Sequence, residues 1–305
     1  MSSGSLRLRS ETIGGRAHGP HLLITGGVHG DEFEPMAAIR RLLSSIDTNS
    51  LCGSLTLVPV VNEAAFARGS RVAEDGLDLA RTCPGRANGS ITEQTAHALS
   101  ELIRTADYYI DMHTGGLALS VWPLAGYMLH PDAAVLKKQR AMARAFNLPV
   151  VWGTDHRLDG RSLSVARDAN VPAIYVEYLG GGSCSEEGIT AMIDGCLNVM
   201  AALQMIDCPQ PRSRVQFVVE DPRPGSGHMQ HCHPSPADGF FEPSIGLGEP
   251  IIAGQSLGQV VDPLGQTTRD VLAAETGRVL VVRTLPAVRK GDSLAVILPA
   301  ATSNA

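Results

Sequence analysis

The tightest constraint in this chain is an apolar run that ends in glycines and resumes as a helix. Leu22-Leu23-Ile24-Thr25 shows no polar alternation and reads as a buried strand. Gly26 and Gly27 let the backbone turn sharply at its end. Pro35 then suits the first turn of a helix running from Met36 to Leu43. His29 and Glu32 are therefore held at a strand-to-helix turn, where an imidazole nitrogen and a carboxylate oxygen can converge on one cation. Zinc takes such ligands, and a catalytic zinc needs a third one from elsewhere plus an open position. Taken alone, the pair reads more simply as a capping carboxylate and a surface histidine. Residues further along the chain reverse that preference.

Strand and helix signals alternate through the first two-thirds of the sequence. Ser54 to Val61 is rich in β-branched residues and predicts a strand; Thr92 to Ile103 has helical spacing. Tyr108 to His113 predicts a strand closed by Thr114-Gly115-Gly116. A helix over Ala133 to Phe146 comes next, then a strand over Ala173 to Tyr178 closed by Gly180-Gly181-Gly182, then a long helix over Glu186 to Met205. Such alternation implies an α/β sheet covered by helices on both faces, in which sites gather where strands end. His29, His113 and Glu177 each stand at or near a predicted strand end. Beyond Cys208 the composition shifts to short apolar runs separated by Gly and Pro, at Val215–Val219, Val279–Val282 and Leu294–Leu298. The expected organisation is a larger α/β unit over 1–208 and a smaller all-β unit over 209–305.

The bulk numbers exclude several classes. With 44% hydrophobic and 18% charged residues, this is the composition of an ordinary globular protein with ample core. A net charge of −6 argues against nucleic acid or an anionic membrane as partner. No apolar run approaches the length of a membrane span, and the start lacks the apolar core of a signal peptide. The six cysteines form no C-x-x-C pair and read as reduced thiols, which makes the cytoplasm the default location. Oligomeric state is left open; a homo-oligomer is compatible with the sequence.

His113 completes the metal set, since a strand can deliver it to the same point as His29 and Glu32, and two His with one Glu suit a catalytic zinc. Asp111, two residues earlier on the same strand face, reads equally as a partner of that site or as a structural acid. Glu177 lies in an otherwise apolar strand, where an unpaired carboxylate is costly, and is the candidate general base. The loop from Arg71 to Arg86 carries Arg71, Arg81 and Arg86; one such arginine can polarise a carbonyl and another can clamp a carboxylate, while Arg86 reads as solvated. His228, His231 and His233, in a Pro/Gly-rich stretch, read as surface histidines rather than a second metal site.

Gly26 to Glu32, Asn62 to Arg71, Asp78-Leu-Ala-Arg-Thr-Cys-Pro-Gly85, Asp111-Met-His113 and Val176-Glu177 together resemble the succinylglutamate desuccinylase/aspartoacylase family, within the zinc carboxypeptidase superfamily. The resemblance covers nearly the whole chain and is nearer to the bacterial branch that includes the N-acetyl-diaminobutyrate deacetylase of ectoine breakdown. It implies a zinc-carboxypeptidase-like sheet and one Zn2+ per chain on His29, Glu32 and His113. It implies Glu177 as general base, Arg71 as the residue that polarises the scissile carbonyl, Arg81 and Arg161 as substrate-binding arginines, and Asp78 as the acid that orients His29. The expected activity is a zinc-dependent deacylase acting on a small N-acyl amino acid or related amide. A metallocarboxypeptidase on short peptides and a non-catalytic metal-binding protein with a decayed site are the rivals. The chain departs from the family pattern at Ala80, where an Asn is usual, and at Cys83, where a Phe is usual. Ala80 cannot donate a hydrogen bond to a substrate carboxylate.

Overall fold

The computed structural model describes residues 6–229 and 232–299. Its elements are β1 (Glu11–Gly14), β2 (Ala17–Thr25), α1 (Phe33–Ser45), β3 (Cys52–Val58), α2 (Glu63–Ala67), α3 (Ile91–Thr105), β4 (Tyr108–His113), β5 (Leu119–Met128), α4 (Ala133–Phe146), β6 (Val150–Thr154), α5 (Ser162–Asp168), β7 (Ala173–Gly180) and α6 (Glu186–Ala202). The remainder is β8 (Phe217–Glu220), β9 (Gly239–Pro243), β10 (Pro250–Ile251), β11 (Ser256–Val261), β12 (Thr268–Leu272), β13 (Gly277–Arg283), β14 (Ala287–Val288) and β15 (Ala295–Pro299). A 3-10 turn, Leu79–Arg81, interrupts the loop between α2 and α3.

The main sheet runs β1-β3-β2-β4-β7-β5-β13-β10, with β6 added beside β5, β8 beside β6 and β15 beside β13. Its centre, β3-β2-β4-β7, is parallel. Buried on both faces, these strands are the near-continuous apolar runs read from the sequence. One face is covered by α1, α4 and α6, through Ile39, Leu42, Met142, Phe146, Met192 and Val199. The other is covered by α3 and α5, through Ala96, Leu99, Ile103, Leu163 and Val165. The sheet with helices on both faces is therefore as the alternation predicts. Gly195 in α6 lets the Phe146 ring lie against the helix backbone; a Cβ there would fall 2.2 Å from the ring.

Three strands of the main unit, β1, β5 and β6, were not legible as such. Pro123 and Gly126 break the pattern of β5, and its pairing with β7 shifts register between Val121 and Leu124, around Pro123. Gly126 is needed: a Cβ there would lie 2.2 Å from the Tyr175 ring. Residues beyond 209 do three things, the first being β8, which pairs with β6 in parallel. β9, β11, β12 and β14 form a separate four-stranded antiparallel sheet. β13 pairs with the outer half of β5, Val281 against Val121, and carries β10 and β15 with it. No helix among the described residues is long and apolar enough to cross a membrane.

Candidate functional site

The parallel register brings the site together. Thr25 of β2 pairs with Asp111 of β4, and His113 pairs with Glu177 of β7. His29 and Glu32 come just after the end of β2, so all four groups meet at the same edge of the sheet. Glu32 is the N-cap residue of α1, yet its side chain makes no capping hydrogen bond. Its two oxygens face two histidines instead: Oε1 lies 2.7 Å from His29 Nδ1 and Oε2 lies 2.9 Å from His113 Nδ1. The donor atoms of the three residues lie within 4.8 Å of one another, and all three residues are buried. Among the described residues no other group of three such donors is gathered this way.

Each imidazole has a carboxylate on its other nitrogen. His29 Nε2 is 3.2 Å from Asp78 Oδ1, and His113 Nε2 is 3.2 Å from Asp111 Oδ2. Asp111 Oδ1 accepts from Thr25 Oγ1 at 2.8 Å, and its Oδ2 accepts from Ser162 Oγ. Asp78 also accepts from Arg71, at 3.2 Å from Nε and 3.0 Å from Nη2. Burial alone would raise the pKa of Glu32, but the two imidazoles overcome it and hold the carboxyl well below the usual range. Burial opposes the charge of His113 too, yet Asp111 and Glu32 raise its pKa well above that of an ordinary histidine. Two imidazole nitrogens and a carboxylate facing one point, with both outer nitrogens held by acids, is the donor set and support that zinc takes.

Glu177 differs from the other acids. Its Oε2 is buried with no hydrogen-bond partner among the described residues. Burial pushes its pKa up to about 8, against the pull of His113. Arg71 Nη1 stands 3.8 Å from Glu32 Oε1, on the same rim.

His29, Glu32, Arg71, Asp111, His113 and Glu177 line a cavity of about 100 Å³ together with Ala80, Arg81, Arg161, Leu119, Val121 and Met229. Arg81 closes the 3-10 turn, and its Nη1 donates to Ala80 O at 2.6 Å. Arg161 precedes α5; its two Nη atoms share the Gly227 carbonyl at 3.4 Å, and its Nε is buried without a partner. Burial, with Arg81 nearby, lowers the Arg161 pKa to about 10. The structure thus gathers every candidate read from the sequence: His29, Glu32, His113, Glu177, Arg71, Arg81, Arg161 and Asp78. Arg86 lies apart and pairs with Glu93.

Sequence reasoning missed several contributors. Ser162 is a buried hydroxyl beneath Asp111, with no motif of its own. Asp31 Oδ2 accepts from Leu117 N at 3.0 Å and so ties the His29–Glu32 turn to the loop after β4. Tyr175 and Thr154 line the cavity from β7 and β6. Of the histidine cluster, His231 lies outside the described residues. His233 pins backbone, with Nδ1 3.1 Å from Ala295 O and Nε2 accepting from Ala274 N at 3.0 Å.

Known proteins share this fold. The profile of the succinylglutamate desuccinylase/aspartoacylase catalytic domain matches residues 18–203. The chain is 31% identical over 300 residues to the N-alpha-acetyl-L-2,4-diaminobutyric acid deacetylase of Halomonas elongata, covering 94% of this chain and 84% of that one. The product-bound ectoine utilization protein EutE (DoeB) from Ruegeria pomeroyi superposes with a TM-score of 0.87 at 28% identity, over 95% of this chain and 88% of that one. A succinylglutamate desuccinylase/aspartoacylase from Rhodobacter sphaeroides superposes with a TM-score of 0.84 at 26% identity, over 95% and 88% of the two chains. With a catalytic-domain profile spanning most of the sheet and a relative aligned almost end to end, this chain is a member of the succinylglutamate desuccinylase/aspartoacylase family.

Proposed function

We propose that this protein is a zinc-dependent amidohydrolase that removes the acyl group from a small N-acyl amino acid. The observation that carries the reading is Glu177, a buried carboxyl with an unpartnered oxygen beside a ready three-donor set. A metal-storage site has no use for such a group, which argues against a decayed, non-catalytic role. The relatives' names, a diaminobutyric acid deacetylase and a succinylglutamate desuccinylase/aspartoacylase, point the same way.

His29, Glu32 and His113 would hold one zinc ion per chain. When bound, zinc supplies a Lewis acid for the scissile carbonyl and makes an attacking water easier to deprotonate. Glu177 takes the proton from that water and passes it to the leaving amine nitrogen. Its apolar burial makes it a stronger base than an exposed carboxylate. Arg71, steadied by Asp78, donates to the carbonyl oxygen as negative charge develops there. Arg81 and Arg161 hold the carboxylate of the amino acid. Asp78 and Asp111 fix the ring orientation of His29 and His113.

Zinc-loaded protein incubated with N-acetyl amino acids and with short unblocked peptides tests the reaction class. Release of free amino acid from the acetylated compounds is expected. Release of C-terminal residues from the peptides, with the acetyl compounds untouched, would assign a metallocarboxypeptidase instead.

The orienting role of Asp111 has its own test. Asp111→Asn keeps the shape but loses the charge on His113 Nε2. Zinc affinity, measured by competition with a chromogenic chelator, is expected to fall about 10- to 100-fold. An unchanged affinity would make Asp111 a structural acid held by Thr25 and Ser162.

A further inference from the structure

We infer, building on the deacylase reading above, that the amine half of the substrate is an amino acid with a neutral or acidic side chain, and that the site excludes one bearing an ammonium group. Acceptors and donors in the cavity are unequally committed. The lining carboxylates among the described residues are Glu32, Asp111 and Glu177. Glu32 divides its oxygens between His29 and His113. Asp111 is occupied by Thr25, Ser162 and His113. Glu177 alone keeps an oxygen open, and the reaction reserves it for the proton.

The charge on the other side of the cavity is positive. Arg71, Arg81 and Arg161 all line it. Arg161 has an unpartnered buried Nε and spends both Nη atoms on a single carbonyl at 3.4 Å. Arg71 is paired with Asp78, so a substrate α-carboxylate brings one negative charge against the two other lining guanidiniums, Arg81 and Arg161. The rest of the wall is largely apolar, through Leu119, Val121, Met128, Leu163 and Met229. An ammonium entering this space loses its hydration, finds no open carboxylate, and meets like charge. A methyl group of the same length suits the apolar wall, and a carboxylate suits the arginines. The Halomonas relative is named for a substrate with such an ammonium; the cavity of this chain is composed against it.

The probes are N-acetyl-L-norvaline, N-acetyl-L-aspartate and N-acetyl-L-2,4-diaminobutyrate. Norvaline matches diaminobutyrate in length and differs in charge. With zinc-loaded wild-type protein at neutral pH, kcat/KM for the first two is expected to exceed that for the third by about 10-fold or more. Equal or preferred cleavage of the diaminobutyrate compound would overturn the inference. If none of the three is cleaved, the deacylase reading fails separately. Calorimetric binding of the same compounds then decides the side-chain preference: weaker binding of the ammonium compound supports it, and equal or tighter binding refutes it.

Discussion

Glu177→Gln is expected to keep its metal and lose about 10²- to 10⁴-fold in kcat. Gln has the shape of Glu but cannot carry the proton from water to the leaving nitrogen. Glu177 is not one of the three gathered donors, so the change leaves His29, Glu32 and His113 in place. The strand register sets Glu177 directly beside His113, and both line the same cavity. Its unpartnered Oε2 means that no structural hydrogen bond is lost with that oxygen. Zinc content by elemental analysis and kcat on an acetylated amino acid read the two halves of the expectation. Near-normal kcat with metal retained would remove Glu177 from the reaction.

Arg81→Ala is expected to lower kcat/KM on N-acyl amino acids by about 10- to 160-fold, mainly through KM. A hydrogen bond to a charged group is worth roughly 1.5–3 kcal/mol, and this fold-change is its equivalent. Beside Arg81, where the family resemblance implies an Asn donor, stands Ala80, which lines the cavity but offers no side-chain hydrogen bond. On the proposed function, Arg81 and Arg161 would carry carboxylate recognition between them. Substrate binding is the part lost, so kcat at saturation should change less than KM. An unchanged kcat/KM on acyl-amino acids would mean that the substrate carboxylate is held elsewhere.

How far each part could be read from the sequence depends on how it is built. β2, β4 and β7 are central parallel strands, buried on both faces, so they are written as largely apolar runs broken only near their ends by site residues such as Asp111, His113 and Glu177. The glycines after them mark the strand ends, and the site sits there. β5 was hidden because it is antiparallel to β7, shifts register around Pro123 and contains Gly126. With β5 and β6 unread, the cavity wall from Leu119 to Thr154 was unread too. The pairing of β13 with β5 joins residues some 160 positions apart, and no local pattern records such a contact. Asp111 could be read two ways in sequence; its contact with His113 Nε2 needs three dimensions. Arg161 and Ser162 are adjacent and both line the cavity, yet Arg161 bonds the Gly227 carbonyl and Ser162 bonds Asp111. Only the start of α5 at Ser162 explains the division.

If one zinc on His29, Glu32 and His113 makes this protein a deacylase, activity must track that ion. The decisive measurement is amine release from an N-acetyl amino acid by wild-type protein as isolated, after chelator stripping, and after titration with zinc. Stripping is expected to abolish release, and activity should return in proportion to zinc, saturating at about one ion per chain. Release that survives complete stripping, or one bound zinc per chain with no hydrolysis of any N-acyl amino acid, would contradict the assignment.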